Sequence, residues 1–265
     1  MKRRSFLKTS VAATGLAGLS SAGITASAAD TSPAPRDYYE LRVYRLKAGS
    51  DHHLLDDYLE KALIPALNRI DISPVGVFTE MDKDVTSIYT LIPYPSIESF
   101  SSAWARVNAD ADYQKAGADY LQAPKSDPRF ERIDSWLLLA FAGMPKLQLP
   151  ALSQEKKPRI FEMRTYDSHS EAKALKKVEM FNSGEIDAMK EVGLGPVFYG
   201  QALIGRDLPH LTYMLSAEDR AAHQKHFGAF GAHPTWKRLN GDPQYADTVS
   251  KTTMRFLVPA AYSQI

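Results

Sequence analysis

The hexapeptide Tyr39-Glu40-Leu41-Arg42-Val43-Tyr44 recurs later in the chain as Phe161-Glu162-Met163-Arg164-Thr165-Tyr166. Glu, Arg and Tyr coincide at an offset of 122 residues. Further matches at offsets of 122 or 123 residues join Pro74-Val75 to Pro196-Val197, residues 88–92 to 211–215, Trp104 to Phe227, and Tyr113 to Trp236. Matches that keep their order over separate segments indicate an internal duplication.

Each copy is predicted to have the element order β-α-β-β-α-β. Alternating apolar residues and β-formers predict strands, and apolar residues at helical spacing predict helices. In the first copy these are strands over 38–46, 75–81, 86–92 and 132–141, and helices from Ser50, over 96–107 and over 110–121, with Asp110 as an N-cap. In the second copy they are strands over 159–166, 197–204, 210–215 and 250–258, and helices over 171–192, over 217–230 and from Pro234.

This element order is that of the ferredoxin-like βαββαβ unit, an α+β fold with helices on one face of a four-stranded sheet. The other sheet face is apolar and must be covered. The simplest cover is the sheet of the other repeat. We therefore expect repeats at 38–142 and 159–265, joined by a linker at 143–158, to form a pseudo-dimer of the dimeric α/β-barrel type. In the alternative arrangement, each repeat pairs with a repeat of another chain.

The first 28 residues have the layout of an export signal. A basic opening with Arg3-Arg4 precedes a short segment of small residues, and Ala26-Ser27-Ala28 is a small-x-small cleavage site. Arg3-Arg4 followed by Ser5-Phe6-Leu7-Lys8 resembles the twin-arginine motif. The resemblance implies a periplasmic or secreted protein, with residues 29–37 as a linker before the fold.

Composition excludes several classes of function. Of the 265 residues, 44% are hydrophobic and 24% are charged, as in soluble globular proteins. Without the four basic residues of the signal, the net charge falls from +1 to −3, so we expect no nucleic-acid partner. Cysteine is absent, which excludes a thiol nucleophile and a zinc–thiolate site. The segment after the basic opening is too short and too rich in Gly and Ser for a stable membrane span.

The repeated Glu-x-Arg-x-Tyr hexapeptides, together with Pro234-Thr235-Trp236-Lys237, resemble the NIPSNAP family. The resemblance implies the dimeric α+β barrel that several small enzymes and ligand-binding proteins share. It gives little indication of function, because the family's biochemical role is poorly defined. One departure is His233, which stands where such domains usually have an aspartate before Pro234.

The repeated polar residues are the first candidate site. Glu, Arg and Tyr alternate along a strand and so share one face: Glu40, Arg42 and Tyr44 in one repeat, and Glu162, Arg164 and Tyr166 in the other. Because the helices should claim the apolar face of Leu41, Val43 and Met163, we expect the polar face to point into the barrel. The residues then form either a structural ion-pair network or a catalytic site in which Arg binds an oxygen, Glu acts as a base and Tyr donates a proton.

Two further groups are candidates. The aromatic residues at matched positions are core packing or the lining of a pocket for a flat apolar ligand: Trp104, Tyr113, Phe227 and Trp236. Three histidines are close enough in sequence to suggest a metal site, although a solvated helix face is the preferred interpretation: His223, His226 and His233. No phosphate-binding, dinucleotide or metalloprotease motif is present, so we expect no cofactor and no metal.

Three functions are compatible with these features. The first is a binding protein that holds a small apolar or aromatic molecule in the barrel. The second is a cofactor-independent oxygenase, isomerase or lyase that uses Glu/Arg/Tyr or a histidine. The third is a structural protein with a filled barrel. The expected partner is a small molecule, and homo-oligomerisation is left open.

Overall fold

A computed structural model describes residues 34–47, 49, 51–81, 84 and 86–265. The predicted export signal lies outside the described residues, as does Ser50, at which the first helix is predicted to begin. Asp82 and Lys83, between the strands predicted over 75–81 and 86–92, also lie outside them. Within the described part of the chain, no helix is long and apolar enough to cross a bilayer.

Both repeats have the predicted order of elements. The first contains β1 (Tyr38–Arg45), α1 (His53–Tyr58), a π-helical turn (Leu59–Leu63), α2 (Ile64–Arg69), β2 (Gly76–Glu80), β3 (Ser87–Tyr94), α3 (Ile97–Asn108), α4 (Ala111–Ala116), α5 (Ala118–Leu121) and β4 (Arg132–Ala140). A short helix, α6 (Ala151–Gln154), lies in the connecting segment. The second contains β5 (Ile160–Asp167), α7 (Glu171–Met180), a π-helical turn (Phe181–Glu185), α8 (Ile186–Glu191), β6 (Gly195–Ile204), β7 (His210–Ala217), α9 (Arg220–Ala232), α10 (Pro234–Asn240), a 3₁₀ turn (Pro243–Tyr245) and β8 (Lys251–Pro259).

Several helices have an N-cap residue whose side chain accepts a hydrogen bond from a backbone N–H of the first turn. Asp110 accepts hydrogen bonds from the backbone N–H groups of Asp112 and Tyr113, as predicted.

The prediction of one continuous helix over 171–192 is wrong at its centre, because Ser183 and Gly184 leave helical geometry and Gly184 adopts a φ of 120°. A positive φ is accessible to glycine because it has no Cβ. The π-helical turns of the two repeats are themselves 122 residues apart.

The eight strands form one closed antiparallel barrel in the order β1-β3-β2-β8-β5-β7-β6-β4. Pairing of β2 with β8 and of β4 with β6 joins the two repeats at both seams. The prediction of a barrel formed within one chain is therefore confirmed. Closure leaves no sheet edge exposed, which removes a common site of aggregation.

Apolar residues form three main clusters, one inside the barrel and one beneath each layer of helices. Inside the barrel, Tyr39 packs edge-on against Phe198 at 5.1 Å, and Phe161 packs edge-on against Phe78 at 5.0 Å. Tyr39 and Phe161 occupy equivalent positions in the two hexapeptides. Each ring pair spans the two repeats, so these aromatic contacts stabilise the pseudo-dimer from within.

The predicted orientation of the hexapeptides is wrong. Leu41, Val43 and Met163 point into the barrel, whereas Tyr44 packs among the apolar residues beneath the first helix layer. Glu40, Arg42, Glu162 and Arg164 share the outward face with Tyr44 and its counterpart Tyr166. Strand alternation places the three polar residues on one side but does not say which side meets the helices, because both sides of these strands are buried.

Candidate functional site

The carboxylate of Glu40 is buried beneath the first helix layer, where three side chains donate hydrogen bonds to it. Its Oε1 accepts hydrogen bonds from Arg42 Nε and Ser135 Oγ, both at 2.9 Å. Its Oε2 accepts a hydrogen bond from Tyr94 Oη at 3.0 Å. The Arg42 guanidinium lies 4.2 Å from the centroid of the Trp104 ring. Trp104 of α3 therefore packs against the cation of Arg42 on the outer face of β1 and does not line the barrel.

In the second repeat, a histidine is one of the partners of the equivalent buried carboxylate, Glu162. Glu162 Oε1 accepts a hydrogen bond from Arg164 Nε at 2.7 Å, and Glu162 Oε2 lies 2.8 Å from His223 Nε2. Phe227 covers the Arg164 guanidinium at 4.0 Å, as Trp104 covers Arg42. The expectation that His223 lies on a solvated helix face is wrong, since its exposed fraction is 5%.

The exchange of partners follows from the repeat alignment. At the offset of 123 residues, His223 stands where the first repeat has Phe100, and Ala217 stands where it has Tyr94. The tyrosine hydroxyl that binds Glu40 is therefore missing in the second repeat, and the histidine supplies the replacement. A buried carboxylate requires such partners. The geometry favours the structural interpretation of both Glu–Arg pairs, because none of the four residues lines the barrel cavity.

The tyrosines of the two hexapeptides complete the outward clusters. Arg42 Nη1 lies 3.4 Å from Tyr44 Oη, and Arg164 Nη1 lies 3.4 Å from Tyr166 Oη. Tyr166 Oη also forms a hydrogen bond of 2.9 Å with Tyr213 Oη. Burial raises the pKa of Tyr44 and of Tyr213, so both phenols stay protonated.

A buried ion pair between Lys177 and Glu185 was not predicted. Lys177 Nζ donates to Glu185 Oε2 at 2.9 Å, and both side chains are at most 5% exposed. The ammonium is ringed by Phe181, Trp236 and Tyr166, at 4.6, 5.4 and 5.6 Å from the ring centroids. Burial raises the pKa of Glu185, and Lys177 opposes that rise.

Comparison of the repeats could have revealed this pair. At the offset of 122 residues, Lys177 falls on Leu55 and Glu185 falls on Leu63, both buried leucines of the first helix layer. A lysine and a glutamate that replace two core leucines eight residues apart are expected to meet each other, because an unpaired buried charge is costly.

The remaining candidates also belong to the helix layers. Tyr113 Oη lies 3.0 Å from Tyr58 Oη, and Trp236 packs against Phe230 at 4.8 Å. The contacts of the four matched aromatic residues agree with core packing, and none of the four lines the barrel cavity.

The other two histidines do not join His223. His233 Nδ1 accepts a hydrogen bond from the Thr235 backbone N–H at 3.2 Å, so it caps α10 in place of the usual aspartate. The His226 ring lies beside Gly193. Within residues 34–47, 51–81 and 86–265, no group of three histidine or acidic side chains could hold a metal ion.

The barrel itself contains a cavity of about 290 Å³ at one end, called here the barrel cavity. Equivalent residues of the two repeats, Val43 and Thr165, both line it, so the pseudo-two-fold axis runs along the barrel. The other lining residues are Leu41, Arg45, Ser87, Tyr89, Asp134, Trp136, Met163, Asp167, Asp207, His210, Thr212, Lys251, Thr253 and Arg255. The Tyr39–Phe198 and Phe78–Phe161 ring pairs fill the barrel beyond it.

The cations at the rim of the barrel cavity are paired with carboxylates. Arg45 Nε lies 3.1 Å and Arg206 Nη1 lies 3.2 Å from the carboxylate of Asp134. Lys251 Nζ lies 3.8 Å from the carboxylate of Asp167. These cations therefore already have carboxylate partners within the protein.

A second Glu/Arg/Tyr group does face the barrel interior. Tyr89 Oη donates a hydrogen bond to Glu80 Oε1 at 2.7 Å, and Arg255 Nε lies 3.5 Å from the same oxygen. Tyr89 and Arg255 line the barrel cavity. Burial raises the pKa of Tyr89, with a further rise from its hydrogen bond to Glu80, so the phenol stays protonated. Sequence reasoning missed this group because its members come from three different strands.

The turn between β6 and β7 holds one wall of the cavity in place. Trp136 Nε1 donates a hydrogen bond to the Arg206 carbonyl at 3.1 Å. A Cβ on Gly205, whose φ is 147°, would overlap the indole ring of Trp136. His210 begins β7 beside this turn, and burial lowers the pKa of its imidazole although Asp167 opposes that effect. His210 is therefore neutral near pH 7.

An eight-stranded antiparallel barrel built from two ferredoxin-like repeats, with its interior cavity open at one end, defines an α+β barrel of the dimeric type. The chain belongs to the NIPSNAP family, whose model matches residues 39–135 and 161–264. No curated protein sequence matches the chain.

Solved structures share the fold at low sequence identity. A candidate monooxygenase from Fusobacterium nucleatum is 10% identical over 85% of this chain and 93% of its own, with a TM-score of 0.53. A candidate monooxygenase from Lactobacillus acidophilus is 10% identical over 84% of this chain and 94% of its own, with a TM-score of 0.54. An anthrone oxidase-like protein is 9% identical over 86% and 93%, with a TM-score of 0.51. These similarities establish the fold alone.

Arg164→Ala is expected to lower the free energy of unfolding by about 3–5 kcal/mol, because Glu162 keeps a buried charge without its main cation. Urea denaturation measures the loss. Arg106→Ala, on an exposed face of α3, is the control and should change stability by about 0.5 kcal/mol or less. The double variant Glu162→Gln with Arg164→Met should recover much of the loss. An Arg164→Ala protein as stable as the control would contradict a structural role for the pair.

Lys177→Leu alone is expected to cost about 3–5 kcal/mol, because the Glu185 carboxylate loses its cation. Lys177→Leu combined with Glu185→Leu copies the first repeat and should restore wild-type stability or exceed it, because well-packed apolar residues often replace a buried ion pair without loss. Thermal and urea unfolding of both variants measure the difference. Lys61→Leu, which breaks an exposed pair with Asp57, is the control and should change little. A double variant no more stable than the single one would refute the pairing argument.

Proposed function

We propose that this NIPSNAP protein binds a small molecule in the barrel cavity. The observation that carries the proposal is the cavity itself, which all but two of the eight strands line with side chains, whereas ring pairs fill the rest of the barrel. A protein with a purely structural barrel has no need for this space, since unfilled volume lowers stability. A structural role with a filled barrel is therefore the least supported of the three functions.

The size and lining of the barrel cavity restrict the ligand. A volume of about 290 Å³ is just below the usual range of ligand pockets, which begins at roughly 300 Å³, so the ligand must be small. Its inner surface is formed by apolar side chains such as Leu41, Val43 and Met163. This surface suits the small apolar or aromatic body expected from the sequence.

A second candidate function is a cofactor-independent oxygenase or isomerase. The Tyr89–Glu80–Arg255 group and the neutral His210 are the observations that favour it, because they place a proton donor, a carboxylate and an imidazole around one cavity. The fold neighbours described as candidate monooxygenases and as anthrone oxidase-like agree with it only at the level of fold. Glu40, Arg42, Glu162 and Arg164 take no part in this alternative.

Met163→Trp is expected to abolish binding in the barrel cavity, because the larger side chain occupies the space of a ligand. Ligand-detected NMR with a library of neutral, cationic and anionic fragments measures binding whatever the natural ligand is. Met254→Trp is the matched control, since Met254 lies outside the barrel on the adjacent strand β8 and is 55% exposed.

The expected result is a set of fragments that bind the wild type and Met254→Trp but not Met163→Trp. If overpacking prevents Met163→Trp from folding, Val43→Phe fills the same cavity from β1 with a smaller change in volume. Fragment binding that neither cavity variant alters, or no binding at all, would refute the proposed function.

We also propose that the protein is exported through the twin-arginine pathway, on the strength of Arg3-Arg4 and the Ala26-Ser27-Ala28 site. Mass spectrometry of the exported protein should find a mature chain that begins near Ala29. Replacement of Arg3-Arg4 by Lys-Lys should leave the protein inside the cell. Exported protein that retains Met1 would overturn the proposal.

A further inference from the structure

We infer that the barrel cavity selects a neutral amphipathic molecule over its anionic counterpart, with an apolar body inside the barrel and one hydrogen-bonding group at a row of threonine hydroxyls. This inference rests on the proposed function and specifies the ligand class of that site. It is carried by the strand register, by the apolar inner surface and by the pairing of the lining cations.

The threonine row consists of Thr253, Thr165 and Thr212 on the adjacent strands β8, β5 and β7. Thr165 lies directly opposite Thr212 in the β5–β7 ladder and opposite Thr253 in the β5–β8 ladder. Inward-facing residues in register on neighbouring strands form a continuous stripe on the barrel wall. All three line the barrel cavity.

The first repeat does not have this row. In the equivalent register, Val43 lies opposite Tyr89 on β3 and opposite Asp134 on β4. Tyr89 is hydrogen-bonded to Glu80, and Asp134 is paired with Arg45 and Arg206. The polar groups of the first repeat's wall are therefore bonded to other protein side chains, whereas the opposite wall carries threonine hydroxyls.

The threonine hydroxyls keep capacity for a ligand. Thr165 Oγ1 and Thr212 Oγ1 lie 2.9 Å apart and share one hydrogen bond. Each hydroxyl provides one donor and two acceptor lone pairs, so one bond between them leaves both a donor and acceptors to satisfy. A ligand alcohol, phenol or amide could use both functions at this level of the cavity.

The pairing of the lining cations disfavours an anionic ligand. The lining contains three cationic side chains, Arg45, Lys251 and Arg255, and three acidic ones, Asp134, Asp167 and Asp207. Each of these three cations already lies within 4 Å of a carboxylate. A carboxylate on the ligand would lose its hydration without gaining a free cation, and such a transfer is costly. His210 adds no charge near pH 7, because burial lowers its pKa.

The test compares three ligands of one shape: 2-naphthol, naphthalene and 2-naphthoate. Calorimetric or fluorescence titration of the full-length protein at pH 7 should give the tightest binding for 2-naphthol. We expect 2-naphthoate to bind at least about tenfold more weakly. Benzyl alcohol, toluene and benzoate repeat the comparison in a smaller size, so that steric exclusion of the naphthyl ring does not decide the result.

A matched pair of variants tests the threonine row. Thr165→Val keeps the shape of the side chain but removes its hydroxyl, and should weaken 2-naphthol binding about three- to tenfold while leaving naphthalene binding unchanged. Thr252→Val is the control, since Thr252 is exposed on the outside of β8 next to Thr253. It should alter neither affinity.

The inference is overturned if the carboxylate or the hydrocarbon binds as tightly as the alcohol in both series. It is also overturned if Thr165→Val and Thr252→Val bind 2-naphthol equally well. These outcomes leave the proposed function intact as long as binding remains sensitive to Met163→Trp. Loss of that sensitivity is the separate result that refutes ligand binding in the barrel.

Discussion

Each repeat builds a four-stranded sheet whose two faces must both be covered, and the rest of the structure depends on how this is done. One face of each sheet carries its own helices. The opposite face of each sheet is covered by the sheet of the other repeat, because β2 pairs with β8 and β4 pairs with β6 to close the barrel. Since β1 and β5 are then largely buried on both sides, the hexapeptides have no solvent face on which to place Glu, Arg and Tyr.

Burial of the hexapeptides explains why both repeats provide such complete hydrogen bonding for one carboxylate. Glu40 uses Arg42, Ser135 and Tyr94, whereas Glu162 uses Arg164 and His223. The aromatic rings of Trp104 and Phe227 close these clusters over the guanidinium groups. Duplication preserved the requirement for a partner, while each copy met it with different residues.

The two repeats differ at positions in the helix layer and in the barrel wall. The second helix layer exchanged two leucines for the Lys177–Glu185 pair, and the second barrel wall has a threonine row where the first has Tyr89, Val43 and Asp134. A homodimer would repeat each change on both sides of its symmetry axis. Within one chain, the pseudo-dimer combines a wall whose polar groups are bonded to one another with a wall of threonine hydroxyls, and this asymmetry supports the proposed amphipathic ligand.

The sequence by itself determined the duplication and the element order of each repeat, and it predicted that one sheet covers another. It left open whether the two sheets of one chain or sheets of two chains pair, which the β2–β8 and β4–β6 ladders decide. Local patterns carry the duplication and the element order, because the repeat offset, the strand alternation and caps such as Asp110 involve residues close in the chain or in simple register. Alternation also placed Glu40, Arg42 and Tyr44 together on one face.

Only the tertiary structure decided which face points inward and which residues surround the cavity. Alternation distinguishes two faces but cannot rank them when both are buried, so the polar face was assigned to the barrel although it meets the helices. The Tyr89–Glu80–Arg255 group, the partnership of His223 with Glu162 and the row of Thr253, Thr165 and Thr212 each join residues from different strands or from a strand and a helix. Their proximity depends on the register and closure of the barrel, which no local pattern specifies.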